Sequence, residues 1–268
     1  MDREEKPERR TAMERITART NPLLTHIRRL ASSGSYRRSC GEFVADSPKL
    51  LAEALLWDAE LVSVVCTDGF TLPELPDGAR TVQVPEEVMA SVSPMKTPQG
   101  VLFTCRIPDM PLPEKLAGRR YMALEGVQDP GNVGTVLRTL DAFDGDGLFL
   151  LAGCADLYSP KTLRASMGAA FRRPVYVCTA EELCTLLRRS GLPLYGAALR
   201  EDTLDARATD LSRAAIAIGS EGRGLSEALL ALCDGTVRIP MSPRCESLNA
   251  AVAASVLLWE AYRGEGGR

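Results

Sequence analysis

Residues Ala215 to Glu260 read AIAIGSEGRGLSEALLALCDGTVRIPMSPRCESLNAAVAASVLLWE. Two turns in this stretch directly follow β-branched, apolar runs: Ala214–Ile218 leads into Gly219-Ser220-Glu221-Gly222, and Val237–Ile239 leads into Pro240. A polar cluster, Glu246-Ser247-Leu248-Asn249, then opens the last apolar segment. A hydrophobic core by itself has no use for this arrangement. Open α/β sheets bind ligands beyond the carboxyl ends of their strands, and glycine at such a turn lets a ligand approach the backbone closely. Pro240, read as part of the short strand, cannot donate to a sheet ladder and is hard to explain by fold alone. A third turn of the same kind, Asp129-Pro130-Gly131-Asn132-Val133-Gly134, follows the strand-like Tyr121–Val127 and enters a helix that carries Arg138.

Around these turns the chain alternates between strand-like and helix-like segments. Strands are expected near Tyr121–Val127, Gly147–Ala152, Val175–Cys178, Leu194–Ala198, Ala214–Ile218 and Val237–Ile239. Helices are expected to Ala142, from Lys161, over Glu181–Arg189, Leu225–Leu232 and Ser247–Arg263. Such alternation predicts an α/β fold with a mainly parallel sheet and helices on both faces. Ser247 would cap the last helix. Asn249 would lie inside it, where Asn is a poor helix former, so a contact with ligand or substrate is the better reading.

Upstream, Pro108, Pro111 and Pro113 mark a stiff connector over 108–119. It separates a domain at 120–268 from a smaller α/β domain at 14–107. In the smaller domain, Ile16–Leu30 has helical periodicity ended by a turn at Ala31–Ser35, Gly41–Val44 is a strand, and Pro48–Trp57 is a helix. Leu61–Cys66 and Val101–Cys105 are strands, with a short helix at Val88–Val92 between them. Residues 1–13 are charged and expected to be mobile.

The chain has 268 residues, 45% of them hydrophobic and 25% charged, as for a soluble globular protein. No apolar run is long enough to span a membrane. The start, MDREEKPERR, lacks the apolar core of a signal peptide, so a cytoplasmic location is expected. The eight cysteines form no C-x-x-C, and they read as reduced core thiols rather than zinc ligands. One histidine, His26, lies near the N-terminus and reads as surface or RNA-facing. A Ser-His-Asp triad or a histidine-ligated metal is therefore excluded from the C-terminal half. No metal is expected. Whatever chemistry the turns support must use Arg, Glu, Asn, Ser and the backbone. The net charge of −3 argues against a generally basic nucleic-acid binder, but local arginine pairs remain. Arg28-Arg29 with Arg37-Arg38 is one candidate patch, and Arg119-Arg120 and Arg172-Arg173 are others; a solvated face is the plain alternative for each.

Together the turns resemble the SpoU (TrmH-type) family of RNA 2′-O-ribose methyltransferases, of the SPOUT superfamily. The family's Asn-x-Gly-x-x-x-Arg is present as Asn132, Gly134 and Arg138, and its Gly-Ser-Glu-Gly-x-Gly-Leu as Gly219–Leu225. Its Ile-Pro-Met with Ser-Leu-Asn is present as Ile239-Pro240-Met241 and Ser247-Leu248-Asn249. The run from Tyr158-Ser159-Pro160-Lys161 through Arg164-Ala165-Ser166-Met167-Gly168-Ala169 also looks like the family. The resemblance implies a trefoil knot at the end of the sheet, an exception to unknotted topology. It also implies S-adenosylmethionine as cofactor and RNA as substrate, ribosomal RNA before transfer RNA. A homodimer is implied too, paired through the last helix by Val252, Ser255, Val256 and Trp259, with each active site completed across the interface. The first domain resembles an L30e-like substrate-binding domain, departing at Ala45-Asp46-Ser47, where the family usually carries Glu-Gly.

By the same resemblance Gly219, Ile239, Met241 and Leu248 would hold the cofactor's adenine; fold-forming glycines are the alternative. Arg138, Asn132, Glu221, Ser247 and Asn249 would be the catalytic set. The family is described with the arginine as base. Guanidinium stays protonated in proteins, so holding the RNA phosphate and stabilising the alkoxide is the sounder role; a salt bridge is the alternative. Asn132 would orient the ribose or brace its loop, and Glu221 would be catalytic or would pair with Arg138 or backbone N–H groups. Arg28, Arg29, Arg37 and Arg38 would contact RNA. A nucleotide-dependent oxidoreductase is the first rival, but Gly219-x-x-Gly222-x-Gly224 is not G-x-G-x-x-G. A non-catalytic RNA-binding or assembly protein is the second.

Overall fold

A computed structural model describes residues 13–245 and 247–266; the segment expected to be mobile, and Glu246 of the polar cluster, fall outside the described residues or at their edge. In the first domain, β1 (Glu14–Arg15), α1 (Pro22–Ser32), α2 (Gly34–Cys40), β2 (Glu42–Asp46), α3 (Pro48–Leu56), β3 (Leu61–Thr67), β4 (Arg80–Val84), α4 (Glu86–Val92) and β5 (Val101–Arg106) follow in order. They form a five-stranded sheet, β1-β4-β3-β5-β2. β1, β4 and β3 run parallel, whereas β5 is antiparallel to β3 and β2. Alternate side chains of a strand face opposite ways. Val44, Val65 and Leu102 accordingly meet α1 and α4 on one face, while Phe43, Val64 and Phe103 meet α3 on the other.

The connector up to Arg119 has no regular structure. The second domain then runs β6 (Arg120–Leu124), α5 (Pro130–Ala142), β7 (Gly147–Leu150), α6 (Pro160–Ser166), α7 (Ala169–Arg172), β8 (Val175–Val177), α8 (Ala180–Ser190), β9 (Leu194–Ala197), β10 (Leu204–Asp205), β11 (Ala214–Ile218), α9 (Glu227–Leu230), β12 (Gly235–Arg238) and α10 (Ala250–Gly266). Its seven strands are ordered β10-β12-β9-β11-β6-β7-β8 and pair in parallel throughout. Parallel sheets need both faces covered. α5 and α10 cover one face through Leu137, Leu140, Leu257 and Leu258; α8 and α9 cover the other through Leu183, Leu187 and Leu229. Each such fully buried leucine contributes roughly 2 kcal/mol of transfer free energy. No described helix is long and apolar enough to cross a membrane.

Several local expectations differ from what is seen. Ser33 ends α1 and at once starts α2, its hydroxyl accepting from the Tyr36 N–H, so the expected turn at Ala31–Ser35 is the junction of two helices. The strand β4, with apolar Val82 and Val84 on one face, goes unread in the sequence because prolines and glycines crowd the stretch before it. β12 ends at Arg238, so Pro240 lies in the loop beyond the strand, where its missing N–H disturbs no ladder. α10 begins at Ala250, and Ser247 lies before it. His26 is half-buried and engaged within its own domain: its ring nitrogens bond the Tyr36 hydroxyl at 2.8 Å and Glu42 at 3.0 Å. Cys66, Cys105 and Cys184 are buried, and burial pushes the half-buried Cys178 and Cys233 thiols up to about 12; Cys245 is exposed and is not a core thiol.

Candidate active site

α5 starts where it does because Pro130 suits the first helical position and the Asp129 carboxylate accepts from the Gly131 N–H at 2.5 Å. Lys161 donates to that carboxylate at 3.0 Å, which with the cap bond holds Asp129 below the usual carboxylate range. Asn132 is thereby fixed in the first turn of α5. Its amide N–H donates to Glu221 Oε1, and its Oδ1 accepts from Asn249 Nδ2 at 3.2 Å. Asn249 Oδ1 in turn accepts from the Ala251 and Val252 N–H groups at 2.9 and 3.3 Å. Three remote segments thus meet in one chain of hydrogen bonds, Glu221–Asn132–Asn249. Asn249 is not inside the last helix; it caps it, the role first assigned to Ser247. An Asn amide can do both jobs because it carries an acceptor and two donors. Glu221 pairs with Asn132, not with Arg138.

Beside this chain lies a cavity of about 400 Å³ at the carboxyl ends of β9, β11 and β12. Gly219, Glu221, Ile239, Met241, Ser247 and Leu248 all line it. So do Ala198, Arg200, Arg223 and Leu225, for which periodicity offers no signal. Glu227, a second carboxylate in the wall, is paired with Arg200. Gly219 is required by the protein's own loop. Ser220 and Gly224 exchange backbone hydrogen bonds of 3.1 and 2.9 Å, and a Cβ on Gly219 would stand 2.0 Å from the Gly224 carbonyl carbon. The tight fold-back leaves the backbone beyond β11 facing the cavity.

Arg138 is exposed on α5 and has no hydrogen-bond or ion-pair partner among the described residues, so the expected alternative of a salt bridge is absent there. The arginine cluster of the first domain divides. Arg29 and Arg38 are exposed, Arg29 lying 3.8 Å from the centroid of the Tyr36 ring. Arg28 is half-buried and donates to the Ser91 and Arg19 carbonyls at 3.1 and 2.8 Å. Arg37 does not belong to an RNA-facing patch: it is 4% exposed, and its guanidinium donates to Asp156 of the second domain at 2.6 Å and to the Leu30 carbonyl. Arg120 is equally buried, whereas Arg119 beside it is exposed; Arg172 and Arg173 are both held by Asp141, so that pair is structural as well. Among the described residues no cluster of His, Cys, Asp or Glu could hold a metal ion.

Residues 119–259, which hold the cavity and the hydrogen-bonded chain, match the SpoU rRNA Methylase family. The chain belongs to the SpoU rRNA methylase family. Residues 12–102 match an MRM3-like substrate binding domain. Among relatives, the 23S rRNA (guanosine(2553)-2′-O)-methyltransferase RlmP of Bacillus subtilis is 32% identical, the match covering 83% of this chain and 89% of that protein. The 23S rRNA (uridine(2479)-2′-O)-methyltransferase of Streptomyces viridochromogenes is also 32% identical, over 96% and 94%. The AdoMet-bound rRNA methyltransferase from Sinorhizobium meliloti superposes with a TM-score of 0.84 at 28% identity, covering 94% of this chain and 98% of that one. As a SpoU member the chain is a methyltransferase, and its fold is the α/β fold of SPOUT enzymes.

Proposed function

We propose that the chain transfers a methyl group from S-adenosylmethionine to a ribose 2′-hydroxyl of ribosomal RNA, in the cytoplasm and as a homodimer. One observation carries the reading: Glu221, Asn132 and Asn249 form a single hydrogen-bonded chain at the edge of a glycine-walled cavity at strand ends. The residues fit the cofactor. About 400 Å³ is within the range of small-molecule sites. Ile239 and Leu248 offer apolar faces to a purine, and the backbone about Gly219, Met241 and Leu248 offers the donors and acceptors that read its edge. When bound, the cofactor supplies an already activated methyl group on a sulfonium.

The protein's own contribution is position and charge. Asn132 is held from both sides, by Glu221 and Asn249, so its amide is a fixed point against which a ribose can be oriented. Glu221 is the carboxylate of the site able to take the hydroxyl proton, because Glu227 is engaged by Arg200 and a guanidinium does not accept protons. Arg138 holds an RNA phosphate and stabilises the developing alkoxide. Its exposed place on α5 supports a site completed by a second subunit, and so do the exposed apolar side chains Val252, Trp259 and Tyr262 on α10. The knot belongs to the same reading: loops after β9, β11 and β12 and the body of α10 all contribute to one cavity wall. The relatives named as 23S rRNA 2′-O-methyltransferases support large-subunit RNA as substrate. Ribose-methylation mapping in cells with and without the protein tests it. Loss of one 2′-O-methyl group from large-subunit RNA is expected; an unchanged map there would sink the proposal.

A further inference from the structure

The family-like run Tyr158–Ala169 has no part in the cavity, yet α6 within it lies between the two domains. On one side it enters the first domain. Leu163, 1% exposed, is buried in that domain's core beside α3, and Tyr158 stacks on Phe43 with ring centroids 4.8 Å apart. Arg164 donates to Asp46 at 3.2 Å, and the Asp46 side chain is buried. Flanking α6, Asp156 accepts from Arg37 and Arg172 pairs with Glu53. On its other side α6 packs against α5, the helix that carries Asn132. The contact is so close that a Cβ on Gly134 would stand 2.4 Å from the Thr162 carbonyl oxygen and 2.6 Å from the Ala165 Cβ. Lys161 also grips Asp129, the residue that caps α5. A displacement of the first domain that carries α6 with it therefore cannot leave the start of α5 in place.

We infer that α6 is a positioning element, with Arg164 and its partner Asp46 the residues that set the register, fixing RNA held by the first domain at a defined distance from Asn132. The inference rests on the proposed function. Apolar contact through Leu163 and Tyr158 holds the domains together but resists sliding weakly, because the hydrophobic effect has no direction. Ion pairs at three separate points of the interface, Arg37–Asp156, Arg164–Asp46 and Arg172–Glu53, oppose sliding because each bond is directional. Near-attack geometry is intolerant: a misplacement of about 1 Å costs on the order of 10²-fold in rate. Breaking one pair leaves the connector and the apolar contact intact. The RNA is then still captured, but it is presented less accurately.

The test uses the full-length chain and three readouts: affinity for S-adenosylmethionine, affinity for ribosomal RNA, and single-turnover methylation at saturating RNA. Arg164→Ala and Asp46→Asn should each lower the saturated rate by about tenfold or more. Both affinities should stay within about twofold. The double variant should be no slower than the worse single one, and Arg164→Lys should recover part of the rate. A defect seen only at limiting RNA and absent at saturation would overturn the inference, because α6 would then only hold the binding domain on; so would a rate unchanged at every RNA concentration. If Arg164→Ala does not fold, Tyr158→Leu, which removes the stacking on Phe43, must give the same split between rate and affinity or the inference fails. A wild-type chain inert on ribosomal RNA would overturn the proposed function, whereas full rate in the variants of an active chain overturns only the positioning role.

Discussion

Asn249 carries two loads that a single substitution can separate. Its Oδ1 caps α10 and its Nδ2 reaches Asn132. Asn249→Ala removes both, so stability should fall by about 1 kcal/mol, the usual worth of a cap. Methyl transfer should fall by about 10²-fold, as for one preorganised contact. Asn249→Ser keeps a capping oxygen but has no amide to offer Asn132; it should regain the stability and not the rate. Urea unfolding with single-turnover assays checks the pair, and a serine variant of normal rate would refute the role given to Nδ2. Ser47 offers a second test. It stands at φ 98°, a region glycine alone enters freely, at the point where the family usually carries Glu-Gly. Its hydroxyl caps α3 by accepting from the Leu50 N–H at 3.3 Å. The strain there is worth about 1–3 kcal/mol, and glycine in place of a serine cap forfeits only a few tenths. Ser47→Gly should therefore stabilise the protein by about 1 kcal/mol; a lower denaturation midpoint would contradict this.

Among the elements, α5 is tied to α7 by charge. Asp141 in α5 accepts from Arg172 at 2.9 Å and from Arg173 at 2.7 Å. Burial pushes this carboxyl up, but the two arginine bonds outweigh it and leave its pKa below 3.8. A carboxyl depressed in the folded state adds stability that is present above its unfolded value and is lost as pH falls through the folded one. The pair should therefore weaken as the medium is acidified below 3.8. Asp141→Asn should be less stable than the native chain at neutral pH, and its stability should fall less steeply in that acid range. Parallel acid-unfolding curves for the two proteins would count against this account. Helix α5 itself was legible, since Asp129, Pro130 and the apolar spacing of Val133, Val136, Leu137 and Leu140 mark its start and its buried face. The start of α10 was not, because Ser247 and Asn249 are both good caps and only the tertiary bond to Asn132 chooses between them.

For the whole molecule, the face of α10 and the seam between domains matter most. Val252, Trp259 and Tyr262 are exposed, and Phe143 adds to the same aromatic patch. Under the proposed dimer, Val252→Glu with Trp259→Glu should give a monomer with greatly reduced methylation; sedimentation of the variant as a dimer would argue against this face. Residues 116–268 alone should bind S-adenosylmethionine about as well as the full chain, since every residue of the cavity lies there. That fragment exposes Leu163 and Tyr158, so its melting temperature should be lower; calorimetry reads both quantities. Comparable melting temperatures would mean that the seam contributes nothing.

The alternation of strands and helices and the turns at their ends were determined by the sequence alone, because periodicity, glycine and proline act over a few residues. Gly219 and Ile239 in the cavity wall were marked for the same reason: each lies just beyond an apolar strand. The fate of the arginines was decided only by the tertiary structure. Arg37 and Arg38 are neighbours with the same charge, yet Arg38 is exposed and Arg37 is buried against Asp156, a residue 119 positions away. A guanidinium at the surface and one in a buried ion pair look alike in a chain, because what separates them is a partner brought near by folding. The Glu221–Asn132–Asn249 chain is of the same kind: three polar residues with separate local uses become one site when the loops beyond β6, β11 and β12 meet.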